Sequence, residues 1–352
     1  MTLQNTPNRL RSGRLGAAAI SFFVISAAAP LTGVAGGFPI AMLLGNGAGA
    51  PFVFLLITLL LLIFSVGYTS MAQHVSNAGA FYAFTAQGLG GVMGSSAAFI
   101  ALLAYNALQI GLYGLFGTVA AGTIADLTGL LWPWYVWAGL AWAMIAVMGY
   151  RQIDLSLKIL SVLVVLEYGV VLLLNLLIIA KGGHQGAGIG FQSFTPTALL
   201  SGVPIMSVLV CFASFMGFEA TTIYAEEARN PKRTIKLATY CSVLLIGGFF
   251  TLTSWLMIEG NGAANLVNDL SQLKDEAGNP DPTQFIYVLT DKFGGSWLTM
   301  LTHLLFLSSL FAALQAFHNA AARYFYVLGR EGLLPAKMGM THHRFQSPHI
   351  GS

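Results

Sequence analysis

Pro30-Leu31-Thr32-Gly33-Val34-Ala35-Gly36-Gly37 lies in the middle of the first apolar run of the chain, which extends from Leu15 to Leu44. A run of that length can cross a hydrocarbon core of roughly 30 Å as a helix. A proline and three glycines at its centre nevertheless work against an unbroken helix. Backbone released from helical pairing at membrane depth is tolerated only where protein buries it or where it lines a cavity. The freed N–H and C=O groups suit the polar parts of a solute. A second stretch of this kind, Ala213-Ser214-Phe215-Met216-Gly217-Phe218-Glu219, interrupts a later apolar run. Two such interruptions imply a solute carrier.

The 352 residues are 56% hydrophobic and only 8% charged, and the mean hydropathy is +0.73. Soluble domains carry about 25% charged residues, so this chain belongs in lipid. Apolar runs recur at Leu15–Leu44, Pro51–Val75, Gly90–Gly122, Trp132–Gly149, Leu155–Ala180, Ser201–Glu226, Lys236–Ile258 and Ser296–Val327. They predict eight spanning helices and an all-α membrane protein. Barrel strands alternate over only about 10 residues, so a helical bundle is preferred over a barrel. The first and sixth runs are the interrupted ones, and a spacing of five helices between them predicts an inverted-repeat bundle.

Basic residues set the orientation. With the N-terminus cytoplasmic, Arg9, Arg11, Arg14, Arg151, Lys158, Arg229, Lys232, Arg233, Lys236, Arg323, Arg330, Lys337 and Arg344 fall inside. Lys181, Lys274 and Lys292 fall outside, so both termini are expected in the cytoplasm. The net charge of +3 reflects this bias and implies no nucleic-acid partner. Ala27-Ala28-Ala29 resembles a signal-peptide cleavage site, but the apolar run continues past it to Leu44. Cys211 and Cys241 fall inside expected helices, as small core residues rather than a disulfide. No metal-ligand spacing, nucleotide motif or nucleophile–base arrangement appears, so neither a cofactor nor an enzyme is expected.

The expected organisation is a cytoplasmic tail (1–14), a first repeat of five helices (15–180) and an external loop (181–200). A partial second repeat (201–327) comes next, with an external loop at 259–295, and then a cytoplasmic segment (328–352). Within the second loop, Pro282–Leu289 reads either as a short amphipathic helix over the outer mouth or as a solvated loop. Ser76–Ala83 is too short to span and reads as an internal interfacial turn. The glycines of Gly88–Gly94 lack the strand and the Lys-Ser/Thr of a phosphate loop, and fit close helix approach instead.

The midpoints of the expected spans fall near Pro30, Ser214, Glu167 and the Ser308-Ser309 pair, which should therefore share one depth. Beyond the first interruption the restarting helix presents unpaired N–H groups and a partial positive charge. Thr32, Gly33 and Val34 are thus candidates to hold a carboxylate. The carbonyls of Pro30, Ala213 and Met216 are candidates to hold an ammonium group, with Gly217 at the second interruption. The alternative is a kink used only for packing. Glu167 and Glu219 are the acidic residues inside expected spans, and a charge at the bilayer centre costs at least a few kcal/mol. Both are candidates to carry a proton or to pair with an ion, alongside Ser308 and Ser309. A neutral structural acid is the alternative for each. Tyr105, Asn106, Gln109 and Tyr113 form a polar stripe on the third helix, with Asn106 a weaker binding candidate and interhelical bonding the commoner use. His303 and His318 read as structural.

Phe215–Glu219, followed by Ala225-Glu226-Glu227-Ala228-Arg229-Asn230-Pro231-Lys232-Arg233-Thr234-Ile235, resembles the sixth-helix signature of amino-acid permeases of the amino acid–polyamine–organocation superfamily. Asn77–Tyr82 and Arg323–Pro335 support the resemblance, which covers nearly the whole chain. It implies a leucine-transporter-like inverted-repeat fold, first and sixth helices broken at the midplane, and alternating access in the cytoplasmic membrane. It also implies an amino acid held at the two breaks, with a proton, a sodium ion or a second solute as the coupled partner. By the same resemblance Thr32, Gly33 and Val34 fall on the carboxylate-binding stretch, and Ala213 and Met216 fall near the amine. Glu219 falls where some exchangers carry a pH-responsive glutamate. Glu167 falls where several proton-coupled members carry a lysine. Family members usually have twelve helices, so the end at Ser347–Ser352 reads as the loop before further helices, as in a truncated product. Alternatives are a polyamine or organic-cation transporter, and a transport-inactive membrane subunit or sensor. The particular amino acid and the oligomeric state are not legible.

Overall fold

The computed structural model describes residues 16–74, 81–151, 157–223, 228–275, 278–341 and 351. The first helix, α1 (Ala17–Ala28), stops at Ala29, where φ 41° and ψ 75° place a non-glycine residue in the left-handed region. Pro30 then opens α2 (Pro30–Thr32), a first helical position that suits its fixed φ and missing N–H. Gly33–Gly37 winds as a π-helix, α3 (Phe38–Ala41) comes after it, and Met42–Asn46 is π again. In the first π turn the N–H of Phe38 reaches back five residues to the carbonyl of Gly33. Gly45 then leaves helical geometry, and Gly47 takes φ 57° before α4 (Ala50–Ala72) begins.

Next come α5 (Phe81–Leu89) and α6 (Gly91–Thr128), separated by Gly90 at φ 91°. Gly94 lies against Ala86 of α5, the close approach expected of these glycines. Two more helices, α7 (Trp134–Arg151) and α8 (Leu157–Ala180), precede the short α9 (Pro196–Leu199). The second interruption falls between α10 (Pro204–Ala213) and α11 (Ala220–Ile223). The chain continues through α12 (Pro231–Asn261), α13 (Leu266–Gln272), α14 (Gln284–Gly294) and α15 (Ser296–Arg330), with a 3-10 turn at Ala336–Gly339.

Five helical stretches among the described residues are long and apolar enough to cross a membrane: Pro30–Ala72, Gly91–Thr128, Ser161–Gly186, Lys232–Asn261 and Ser296–Arg330. This corrects the expected eight. The apolar runs exist, but interruptions cut two of them into pieces. At 1.5 Å per residue, the twelve residues of α1 and the ten of α10 fall well short of a roughly 30 Å core. Helix 134–150 is also among the shorter apolar helices. The leucine-transporter-like inverted repeat is likewise not shown. The interruption at Ala29 leads into a long apolar stretch, whereas among the described residues no membrane-spanning stretch contains the one after Ala213.

The core is one apolar cluster, built largely where α4 meets α12 and α6 meets α15. Ile100, Leu103 and Ile110 of α6 and Trp142 of α7 point outward, as expected of surfaces wetted by lipid. The stretch read as either amphipathic helix or loop is helical. α14 buries Phe285, Ile286, Leu289 and Phe293, and it packs on α15, α8 and the 33–37 turn.

At one end of the bundle the buried Asn46 ties separate segments together. Its Nδ2 donates to the carbonyl of Leu199 (3.2 Å), and its Oδ1 accepts from Ser207 Oγ (2.7 Å). Its carbonyl accepts from Ser201 Oγ (2.8 Å). At the other end Tyr82 of α5 donates to Glu331 Oε1 at 2.7 Å, joining two of the stretches that carry the family resemblance. Burial, and then the Glu331 carboxylate, push the Tyr82 phenol above its ordinary range. Asn77–Ala80, Glu226, Glu227 and the 342–350 segment lie outside the described residues.

Candidate functional site

The two interruptions abut. A side chain added at Gly37 would lie 2.9 Å from Ser214 Oγ, so the turn after the first interruption rests on the start of the second. Each interruption also receives a buried carboxylate.

At the first, α2 starts a new helix whose leading N–H groups have no partner within it. The N–H of Leu31 bonds to the carboxylate of Glu167 from α8, and Ser309 of α15 bonds to the same group. Thr32 Oγ1 donates to Ser309 Oγ at 3.3 Å. Glu167 and Ser309 are 2% and 1% exposed, so this polar knot is closed off by α8 and α15. Hydrogen bonds to a charged partner contribute about 1.5–3 kcal/mol each, which offsets part of the cost of burying the acid.

At the second, Gly217 takes φ 104°, a conformation that glycine adopts without a Cβ clash. Its N–H donates to Glu219 Oε2 at 3.0 Å. The Tyr105 hydroxyl from α6 donates to Glu219 Oε1. The hydroxyls of Tyr68 on α4 and of Thr222 both lie within hydrogen-bond reach of the Glu219 carbonyl (2.9 and 3.1 Å) and of each other, sharing two protons among three contacts. The turn itself is closed by Phe215 N–H to Phe212 O and Met216 N–H to Ala213 O, each 3.0 Å.

The residues singled out in sequence are distributed unevenly. Pro30, Gly33 and Val34 are buried and Thr32 is half-buried. The Gly33 N–H is bonded to the Ala29 carbonyl (3.0 Å) and also reaches that of Pro30. The Leu31 N–H is the one that meets a carboxylate, one residue ahead of the expected trio. Ala213 is exposed, Met216 half-buried and Gly217 buried. Asn106 turns back to the Leu102 carbonyl of its own helix (2.8 Å), and Ser308 likewise to Leu305 (2.9 Å). Ser309 alone of the serine pair joins the first knot. Glu167 and Glu219 are held by different partners.

Several contributors were not singled out. Tyr68, Thr222 and Leu31 act through single polar atoms inside apolar stretches. Their only sequence signal is a hydroxyl at an expected core position, or none for the Leu31 backbone. Phe250 of α12 is fully buried and touches both interruptions. His303 stacks on Tyr287 of α14 with ring centroids 3.6 Å apart, consistent with a structural role. Burial, and then Asp281 and Asp126, push the Tyr287 phenol up.

Residues 15–352 match the family model described as amino acid permease. The chain belongs to the amino acid permease family. It is similar to the branched-chain amino acid permease BcaP of Bacillus subtilis (strain 168), 23% identical over 341 residues, covering 90% of this chain and 68% of that protein. It is similar to the low-affinity putrescine importer PlaP of Escherichia coli (strain K12), 28% identical over 199 residues, covering 53% of this chain and 40% of that protein. It is also similar to BcaP of Lactococcus lactis subsp. cremoris (strain MG1363), 25% identical over 155 residues, covering 44% and 29%. The chain is a multi-pass membrane protein of a permease family, with the function of a secondary carrier rather than an enzyme.

Proposed function

We propose that this chain carries an amino acid across the cytoplasmic membrane by alternating access, with the solute held between the two interruptions. The observation behind this reading is their contact at Gly37 and Ser214, with a buried carboxylate bonded to a backbone N–H at each. In this reading the solute carboxylate is taken by the backbone near Thr32, Gly33 and Val34, which requires the Gly33 N–H to leave the Ala29 carbonyl that it bonds here. The carbonyls of Pro30, Ala213 and Met216, beside Gly217, take its ammonium group. A carbonyl oxygen has two lone pairs, so the bonds already made by Pro30 and Ala213 leave room for this. Glu167 and Glu219 carry a proton or meet a cation, with Ser309 in the first knot and Ser308 next to it.

The test is uptake of radiolabelled leucine into proteoliposomes with an imposed pH gradient, repeated with sodium replaced by choline. Gradient-dependent accumulation that is insensitive to choline supports proton coupling. Accumulation that needs sodium replaces the proton with that ion. Absence of accumulation and of counterflow for every amino acid tried would overturn the carrier reading.

A second reading has its own observation. The Leu31 N–H is already taken by Glu167, which favours a solute with amines and no carboxylate. The similarity to a protein named as a putrescine importer supports the same direction. Competition between labelled leucine and unlabelled putrescine separates the two readings.

A further inference from the structure

We propose that Phe250 is a positioning residue that fixes how closely the two interruptions approach each other; this rests on the reading of those interruptions as the solute site. The reason starts at Gly33. Its φ of −61° and ψ of −47° are ordinary helical values, so nothing in the backbone there demands glycine. Glycine inside a helix is less favourable than alanine by roughly 1 kcal/mol, and that cost needs a cause. The cause is the Phe250 ring. A Cβ at position 33 would lie 2.8 Å from Phe250 Cζ, closer than packed carbon atoms approach.

The same ring meets the second interruption. Phe215 stands edge-on to it, with centroids 5.7 Å apart at 74°. Phe38, one turn after Gly33, stands at 5.2 Å and 89°, and Phe54 of α4 at 5.6 Å. Phe250 is 0% exposed, so the ring is enclosed on every side. Its helix is firmly seated. Thr58 of α4 lies directly against the backbone at Gly247, and the neighbouring Phe249 rests on Tyr168 of α8 at 4.3 Å. A rigid ring on a seated helix, in contact with residue 33 on one side and 215 on the other, transmits displacement of either interruption to its counterpart.

The test compares Gly33→Ala, Phe250→Leu and the double variant in proteoliposomes. The probes are a 14C-labelled amino-acid mixture and [14C]putrescine, and each variant is first checked for monodispersity in detergent. Gly33→Ala is expected to lower initial uptake about tenfold by overpacking against the ring. The double variant is expected to return to within about threefold of Phe250→Leu alone, because the shortened side chain makes room for the added methyl. A monodisperse double variant no better than Gly33→Ala would overturn the role of Phe250 and leave the site reading standing. Native uptake by Gly33→Ala would overturn both, as would absence of uptake by the unaltered protein. Should Gly33→Ala fail to fold, the double variant against Phe250→Leu decides: recovery supports the proposal and inactivity overturns it.

Discussion

The hydroxyl of Tyr105 on α6 donates to Oε1 of Glu219, while Oε2 of the same carboxyl group accepts from the N–H of Gly217 two residues back. One side chain thus ties the second interruption both to itself and to a neighbouring helix. Removing the phenol leaves a carboxyl oxygen without its donor at a site 7% exposed. Tyr105→Phe is expected to lower stability by about 1–3 kcal/mol, read as a shift in thermal unfolding in detergent. Glu219→Gln keeps the shape but cannot take up a proton, so uptake by this variant should lose its dependence on pH. Unchanged dependence would remove Glu219 from proton coupling.

Glu167 stands at the first interruption with its carboxyl group on the Leu31 N–H. Glu167→Gln is expected to flatten pH-dependent uptake while leaving solute affinity within about threefold, since the amide still accepts from Leu31. Glu167→Ala removes that partner and should destabilise by about 3 kcal/mol. Added formate, small enough to reach the freed N–H, should then recover part of the loss, measured as a melting-temperature gain absent from the native protein.

Ala29 holds φ 41° with its side chain buried. A left-handed conformation costs a residue with a Cβ roughly 1–2 kcal/mol, whereas glycine adopts it freely. Ala29→Gly should therefore leave stability equal or raise it by about 1 kcal/mol, the reverse of a glycine placed inside an ordinary helix. A loss above that amount would mean that the methyl group's packing dominates.

Tyr82→Phe breaks the bond to Glu331, with an expected cost of about 0.5–1.5 kcal/mol. The Tyr82 phenol is shifted upward by folding, so its contribution is fully present below the unfolded value near 10 and declines only as pH rises above that. The difference in melting temperature between Tyr82→Phe and the native protein should then be the same at pH 7 and pH 9.

Much of this arrangement is legible in the chain. Pro30 and the glycines at 33, 36 and 37 announce a departure from α geometry, and the structure has one there, beginning at Ala29. The acids that deserve suspicion are the two buried within apolar runs, Glu167 and Glu219. The number of spans was not legible, because hydropathy counts apolar residues across an interruption as if the helix continued. The run from Ser201 to Glu226 holds α10, which stops at Ala213 and leaves a ten-residue helix. Nor could the partners be read. Tyr82 and Glu331 are 249 positions apart, and Thr32 and Ser309 are 277 apart. Which N–H of α2 faces an acid depends on the rotation of a three-residue helix, and no sequence pattern sets that.

The π-helical segment at 33–37 carries a consequence for how this chain tolerates insertions and deletions. Such a bulge holds one residue beyond an α-helical turn, so deleting a residue within it lets the pairing relax to i→i−4 without disturbing the helix beyond. Deleting one residue inside α4 instead rotates everything after it by about 100° and turns its buried face outward. Single-residue deletions scanned from 33 to 72 should therefore leave folded, monodisperse protein when they fall at 33–37 and abolish it when they fall between 51 and 70.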